Sequence, residues 1–453
     1  MDAVIGKLSA LACCAALALG ASPGKVFPYA YTQEDLPNGL RLVVVPTGFP
    51  NIVATYIVVQ AGSRNEVEPG HTGFAHLFEH LMFKGTEKFP QAKYTNALQV
   101  MGAASNAYTT ADYTCYYTVV SKQDLPTVME MEADRFQNLK VSQPEFKTES
   151  LAVLGEYNKN ASNPMVKLDE VVNQTAFERS TYRHTTMGFL KDIQDMPNQY
   201  DYALQFFDRY YRPEYTTILV VGDVKAAAVR ALATRFWGSW KRGSYKAEIP
   251  QEGSQTEPRT AQVEWPTPTL PAVDIAYKGP AYTDTAKDTA ALEALAFLAF
   301  SPISDLYQRL VVTEQKAAAL YASAPEQVDP ALFEIVVRPQ RAADLDYVRD
   351  QVYEAVKTFR EKPVDTTLLD TVRKHLRYGL EIQMQSSDAI AGILARYVAL
   401  RRTPETLNRL YDQLSALTPE DIRAAADRYL TDDNRTTVTL VGAKPQPATA
   451  EAK

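Results

Sequence analysis

His76 and His80 stand four residues apart, with Glu79 between them, inside the run His71–Lys84 (HTGFAHLFEHLMFK). On a helix, residues four apart project from one face and residue i+3 lies beside them. Two imidazoles one turn apart can hold a single metal ion while the neighbouring carboxylate serves as a base. The order H-x-x-E-H reverses the commoner H-E-x-x-H but has the same use. The chain holds five histidines. The chance that any of them is followed by Glu at +3 and His at +4 is roughly 0.3% from average composition. That favours a metal site over two unrelated helical neighbours. His71 precedes Gly73 at the expected helix start and is read as a supporting or surface residue. Cys115 lies among alternating aromatics without a glycine-rich nucleophile turn, so it is read as a packed thiol rather than the nucleophile of a hydrolase.

Two histidines do not complete a catalytic zinc site, which takes three protein ligands and leaves the fourth position to water. The third ligand must come from elsewhere in the chain. Glu149 and Glu156 are seven residues apart (156 − 149), two helical turns, and share one face. Spacing alone leaves open a solvated acidic face.

The elements that must position these residues mix strands and helices. The sequence predicts strands over 40–45 and 52–59, a helix over 73–84, and a hairpin or paired strands over 104–120. Helices are predicted over 124–139 and 144–159. Two stretches resemble each other: Asp208-Arg209-Tyr210 followed by 216–222 (TTILVVG), and Asp427-Arg428-Tyr429 followed by 436–442 (TTVTLVG). Each reads as a helix end, a polar turn and a β-branched strand closed by Gly, about 220 residues apart (442 − 222). A duplicated domain follows. The expected fold class is α+β: two homologous domains, each a mixed β-sheet packed with α-helices. The expected boundaries are 30–240 for the metal-binding half, 241–262 for a Pro-, Gly- and charge-rich linker, 263–443 for a second half without a metal site, and 444–453 for a disordered tail.

The constellation resembles that of the pitrilysin/insulinase family of inverted zincins. In that family H-x-x-E-H is followed by a distant glutamate ligand, with another glutamate seven residues before it. Here Glu156 lies 76 residues after His80 (156 − 80) and Glu149 occupies the upstream place. The likeness runs through Phe74–Thr86 (FAHLFEHLMFKGT), and Ser105-Asn106-Ala107-Tyr108-Thr109 with Asp112, Thr114 and Tyr116 is similar to the family's substrate strand. It covers residues 30–443 and implies half of a clamshell. It also implies one Zn²⁺ per chain on His76, His80 and Glu156, with Glu79 as general base toward water. Glu149 would then orient the ligands. Asn106, Ala107 and Tyr108 would pair with an extended peptide, where an ordinary half-buried strand is the bland alternative.

One departure bears on partners. Active family members use an Arg and a Tyr seven residues apart in a second half. Aligning Leu306–Ala322 puts Thr313 and Leu320 at those places, with Tyr321 adjacent, and the second copy's one histidine is His375. The chain therefore resembles the catalytic subunit of the heterodimeric, processing-peptidase-like branch, whose homologous partner brings the Arg/Tyr pair. A homodimer is the alternative if the alignment shifts. A non-catalytic peptide-binding or structural subunit is the alternative function, against which the intact ligand set argues.

Composition sets the outer limits. At 453 residues and net charge −7, the chain is too long for one ordinary core and ill-suited to binding nucleic acid. Residues 1–24 read as a signal peptide: Lys7, the apolar run 8–19 (LSALACCAALAL), then small residues. A periplasmic or secreted location without a permanent membrane anchor is expected, since no later stretch is read as long and apolar enough to span a bilayer. Removing that segment leaves Cys115 as the one cysteine, so no disulfide framework is expected.

Overall fold

The computed structural model describes residues 24–443. The signal-peptide run, apart from Gly24, and the expected tail lie outside the described residues. Among the described residues, eleven strands form two sheets. The first sheet is built from β1 (Thr32–Asp35), β2 (Arg41–Pro46), β3 (Ile52–Val59), β4 (Ala104–Thr109), β5 (Thr114–Ser121) and β6 (Thr216–Gly222). The second holds β7 (Arg259–Trp265), β8 (Ala272–Lys278), β9 (Ala317–Ser323), β10 (Leu332–Pro339) and β11 (Arg435–Gly442).

Their orders are β1-β2-β6-β3-β5-β4 and β7-β11-β8-β10-β9. With β1 set aside, the two match strand for strand. One parallel pair, β2 with β6 or β7 with β11, is followed by three antiparallel neighbours. The repeated Asp-Arg-Tyr segments end the helices Tyr200–Tyr210 and Pro419–Tyr429, and the strands that follow are β6 and β11. The helix Gln143–Asn160 has a counterpart of equal length, Thr366–Gln383.

Each sheet carries the helices of its own half on one face. On the other face it is covered by a helix from the opposite half. Ser387–Arg401 packs on β3 and β6, while Pro164–Ala176 packs on β7, β8 and β11. The exchange follows from strand alternation. Val53, Ile57 and Val59 of β3 face the first half's own helices. Ala54, Tyr56 and Val58 join a core with Ile390, Leu394 and Val398 of the incoming helix. Tyr56 donates to Asp388 at 2.8 Å. Leu168, Val172 and Ala176 fill the reciprocal core with Ala272, Val438 and Leu440.

Two expectations need correction. The linker ends at residue 258, because Arg259–Gln262 belong to β7. This strand hides well in the sequence: as an edge strand it alternates exposed Thr260, Gln262 and Glu264 with inward Ala261 and Val263. Second, Asp288–Thr313 is long and apolar enough by composition to count as a membrane span, yet 72% of its most apolar window is buried inside the protein. It is the core helix Asp288–Phe300 followed by a separate short turn and a π-helical segment.

Candidate active site

The helix Phe74–Leu81 carries the H-x-x-E-H residues, with Phe74, Leu77, Phe78 and Leu81 buried beneath them. It starts at Gly73, whose φ of +90° suits glycine, and a Cβ there would stand 2.6 Å from the Met187 carbonyl. It is shorter than the predicted 73–84 because Met82–Lys84 turn away. Across from it runs the helix Gln143–Asn160, opened by a capping box in which Ser142 and Glu145 bond reciprocally.

Between the two helices, one donor atom each from His76, His80 and Glu156 converge, all within 4.8 Å of one another. Glu156 Oε2 lies 3.6 Å from His76 Nε2 and 3.5 Å from His80 Nε2. These separations are too long for hydrogen bonds. They match the edge of a tetrahedron with metal bonds near 2.1 Å, about 3.4 Å. The donor set, two imidazole nitrogens and one carboxylate oxygen, fits zinc. Burial, and then the neighbouring His80, push the His76 imidazolium below its ordinary value. This favours the neutral ring that a metal needs.

Glu79 sits beside the triad, and its Oε2 accepts a 2.7 Å hydrogen bond from Thr109 Oγ1 at the end of β4. Burial raises its carboxyl above the ordinary range, while the Thr109 bond and His80 pull it back. Glu149 does not touch the triad's convergent atoms. Its Oε2 lies 3.6 Å from His80 Nδ1, on the far side of that ring, and its Oε1 accepts from Lys84 Nζ at 2.5 Å. Tyr116 supports the same helix by donating to the Phe78 carbonyl at 3.1 Å.

The substrate-strand residues are more scattered. β4 is the free edge of its sheet. Asn106 is exposed, and its Oδ1 accepts the Ala107 N–H at 2.9 Å. Ala107 is buried on the face toward the metal helix. Tyr108 points the other way, packed edge-on to Tyr113. Thr109 is the residue of this strand that reaches the site, and the sequence reading missed it. Its signal was the period of two counted from Ala107. Lys84 was missed as a partner of Glu149, although it lies one turn beyond His80.

The remaining candidates lie elsewhere. His71 stacks on Tyr202 at 3.9 Å and bonds Gln199 at 2.6 Å. Cys115 is buried, which pushes its thiol up to about 12. Leu320 is packed in the second half's core, Tyr321 is exposed, and Thr313 ends the π-helical segment. Aligning the two 18-residue helices (366 − 143 = 223) puts Val372 and Gly379 where the first half has Glu149 and Glu156. His375 stacks against Phe297 at 4.4 Å.

The chain is similar to known proteins. Residues 43–189 match the insulinase family, peptidase family M16. Residues 199–376 match the peptidase M16 inactive domain. The zinc protease PqqE of Helicobacter pylori is 28% identical over 417 residues, 90% of this chain and 92% of that protein. The mitochondrial-processing peptidase subunit beta of Bos taurus is 29% identical over 215 residues, 48% of this chain and 43% of that one. The crystal structure of a protease from Helicobacter pylori superposes with a TM-score of 0.85 at 28% identity, covering 92% of this chain and all of that one. An M16 half bearing H-x-x-E-H is thus joined to an M16 half without it, and the chain belongs to the insulinase (M16) peptidase family.

Proposed function

We propose that the chain is a zinc-dependent endopeptidase that cuts extended or unfolded peptides, acting as the catalytic subunit of a dimer outside the cytoplasm. The observation that carries this reading is the convergence of His76, His80 and Glu156 with Glu79 alongside. These three residues would hold zinc, which when bound lowers the pKa of a coordinated water and polarises the scissile carbonyl. Glu79 takes the water proton and hands it to the leaving nitrogen. Thr109 orients the carboxylate for that transfer. Glu149 and Lys84 steady His80 from behind.

The free edge of β4 supports an extended substrate. A peptide carbonyl would replace Asn106 Oδ1 on the Ala107 N–H, adding a strand beside the metal helix. Main-chain pairing of this kind tolerates many sequences. The dimer rests on Thr313 and Leu320, neither of them an Arg or Tyr, and on the bovine relative's name as a beta subunit.

The test is hydrolysis of an unstructured peptide by the purified chain, alone and with a homologous subunit that carries the Arg/Tyr pair. Chelation should abolish cleavage, and one equivalent of zinc should restore it. Strong cleavage by the chain alone would overturn the need for a partner that brings the Arg/Tyr pair. Cleavage indifferent to chelation would overturn the zinc mechanism.

A further inference from the structure

A helix normally has its first N–H groups satisfied by the side chain of its N-cap residue. The metal helix cannot use this device, because its N-cap is Gly73. A side chain there would be strained by the left-handed backbone and would strike Met187. Glu66 supplies the missing acceptor from seven residues upstream. One carboxyl oxygen accepts the Gly73 N–H at 2.8 Å and the other accepts the Ala75 N–H at 2.7 Å. Its side chain is fully inaccessible to solvent. Burial pushes its carboxyl up to about 8, against the pull of those N–H groups. A buried carboxyl is costly to keep, and neither metal binding nor proton transfer uses it directly.

Two features tie this contact to the site. His76 follows Ala75 directly, and its Nδ1 is buried without a hydrogen-bond partner among the described residues. No protein group among the described residues bonds that nitrogen to orient the ring, as a carboxylate or carbonyl usually does for a histidine ligand, so the helix that carries His76 is what the protein uses to aim it. The loop that carries Glu66 is in turn latched to the turn between β4 and β5. Arg64 N–H donates to the Ala111 carbonyl at 2.8 Å, and Thr114 Oγ1 donates to the Ala61 carbonyl at 2.9 Å. Gly62 leaves no room for a side chain, since a Cβ would lie 2.4 Å from Ala111 O. Thr109, the partner of Glu79, lies two residues before Ala111.

We propose that Glu66 is a positioning residue for the peptidase site: it fixes the metal helix, and with it His76 and Glu79, against the strand that carries Thr109. This rests on the zinc-peptidase reading above. The test compares the unsubstituted chain with Glu66→Gln and Glu66→Asp, the kinetics being read with the partner subunit that supports cleavage. Gln keeps the size but turns an NH₂ toward one of the two N–H donors. Asp keeps the charge but is too short to meet both, and it serves if the Gln variant does not fold. Zinc affinity is measured by chelator competition, the visible spectrum with Co²⁺ in the site, and kcat and KM at saturating zinc. The expected result is zinc affinity lower by about 10–100-fold, an altered Co²⁺ spectrum and a reduced kcat with KM unchanged. Variants that melt earlier but match the unsubstituted chain in zinc affinity, spectrum and kcat would overturn the proposal while leaving the peptidase standing. An unsubstituted chain that binds no zinc would overturn both.

Discussion

On the zinc-peptidase reading, the Glu79 carboxylate has to sit beside the metal ligands without becoming one of them, and Thr109 is the side chain bonded to it. Thr109→Val removes that donor while keeping the shape. A hydrogen bond to a charged group is worth about 1.5–3 kcal/mol, so kcat should fall by about tenfold or more with zinc content unchanged, as steady-state kinetics and metal analysis would read. Glu149→Gln keeps an acceptor for Lys84 but removes the charge behind His80. Zinc affinity should drop by about 10–100-fold in chelator competition. The H-x-x-E-H spacing announced His76, Glu79 and His80 without help. Glu156 and Glu149 could be paired on one face by spacing, but choosing between them took the family likeness. Thr109 shares the strand period of Ala107, but its bond to Glu79 is a contact between distant segments that the period does not name; Glu66 lies in a loop, with no local period to mark it.

At the scale of elements, the segment joining the halves does more than its composition suggests. Glu252 lies in this coil, and its carboxylate accepts the N–H groups of Glu178, Arg179 and Ser180 together with the Lys278 ammonium at 3.0 Å. Burial alone would raise this carboxyl, but the four donors outweigh it and bring it down to about 2. A folded-state value below the unfolded one, near 4.3, gives stability that is present above that unfolded value. It is lost as pH falls from about 4 to 2. Glu252→Gln should therefore lower the melting temperature at neutral pH and flatten its fall across that window, as a series of thermal melts would read. The sequence pattern found the β4–β5 hairpin and the helices Phe74–Leu81, Leu125–Asn138 and Gln143–Asn160, because these bury one face on a local period. It missed β7, because an edge strand that shows half its residues to water reads as a linker until its parallel partner, β11, is known.

At the scale of the whole molecule, the two halves are interlocked. The repeated Asp-Arg-Tyr segments made the duplication legible in the sequence. The exchange of helices was not legible, because an apolar stripe does not say which sheet it will cover. Ile390, Leu394 and Val398 of the second half are fully buried on the first half's sheet. At about 1.5–3 kcal/mol each, exposing them forfeits roughly 5–9 kcal/mol, comparable to the total stability of about 5–15 kcal/mol for a folded domain. The full chain should therefore unfold in one transition in denaturant, while residues 24–258 expressed alone should show no cooperative transition. Two separate transitions in the full chain would speak against the interlock. The candidate metal ligands His76, His80 and Glu156 all lie in the first half.

The central claim is that one zinc ion on His76, His80 and Glu156 works with Glu79 as base. The most direct measurement is zinc content and peptide hydrolysis on the same samples of the unsubstituted chain and Glu79→Gln, each with the partner subunit that supports cleavage. One zinc per chain in both, with hydrolysis reduced about 10²–10⁴-fold in the variant alone, is the predicted result. Zinc lost along with activity in Glu79→Gln, or hydrolysis that survives the substitution, would contradict the account.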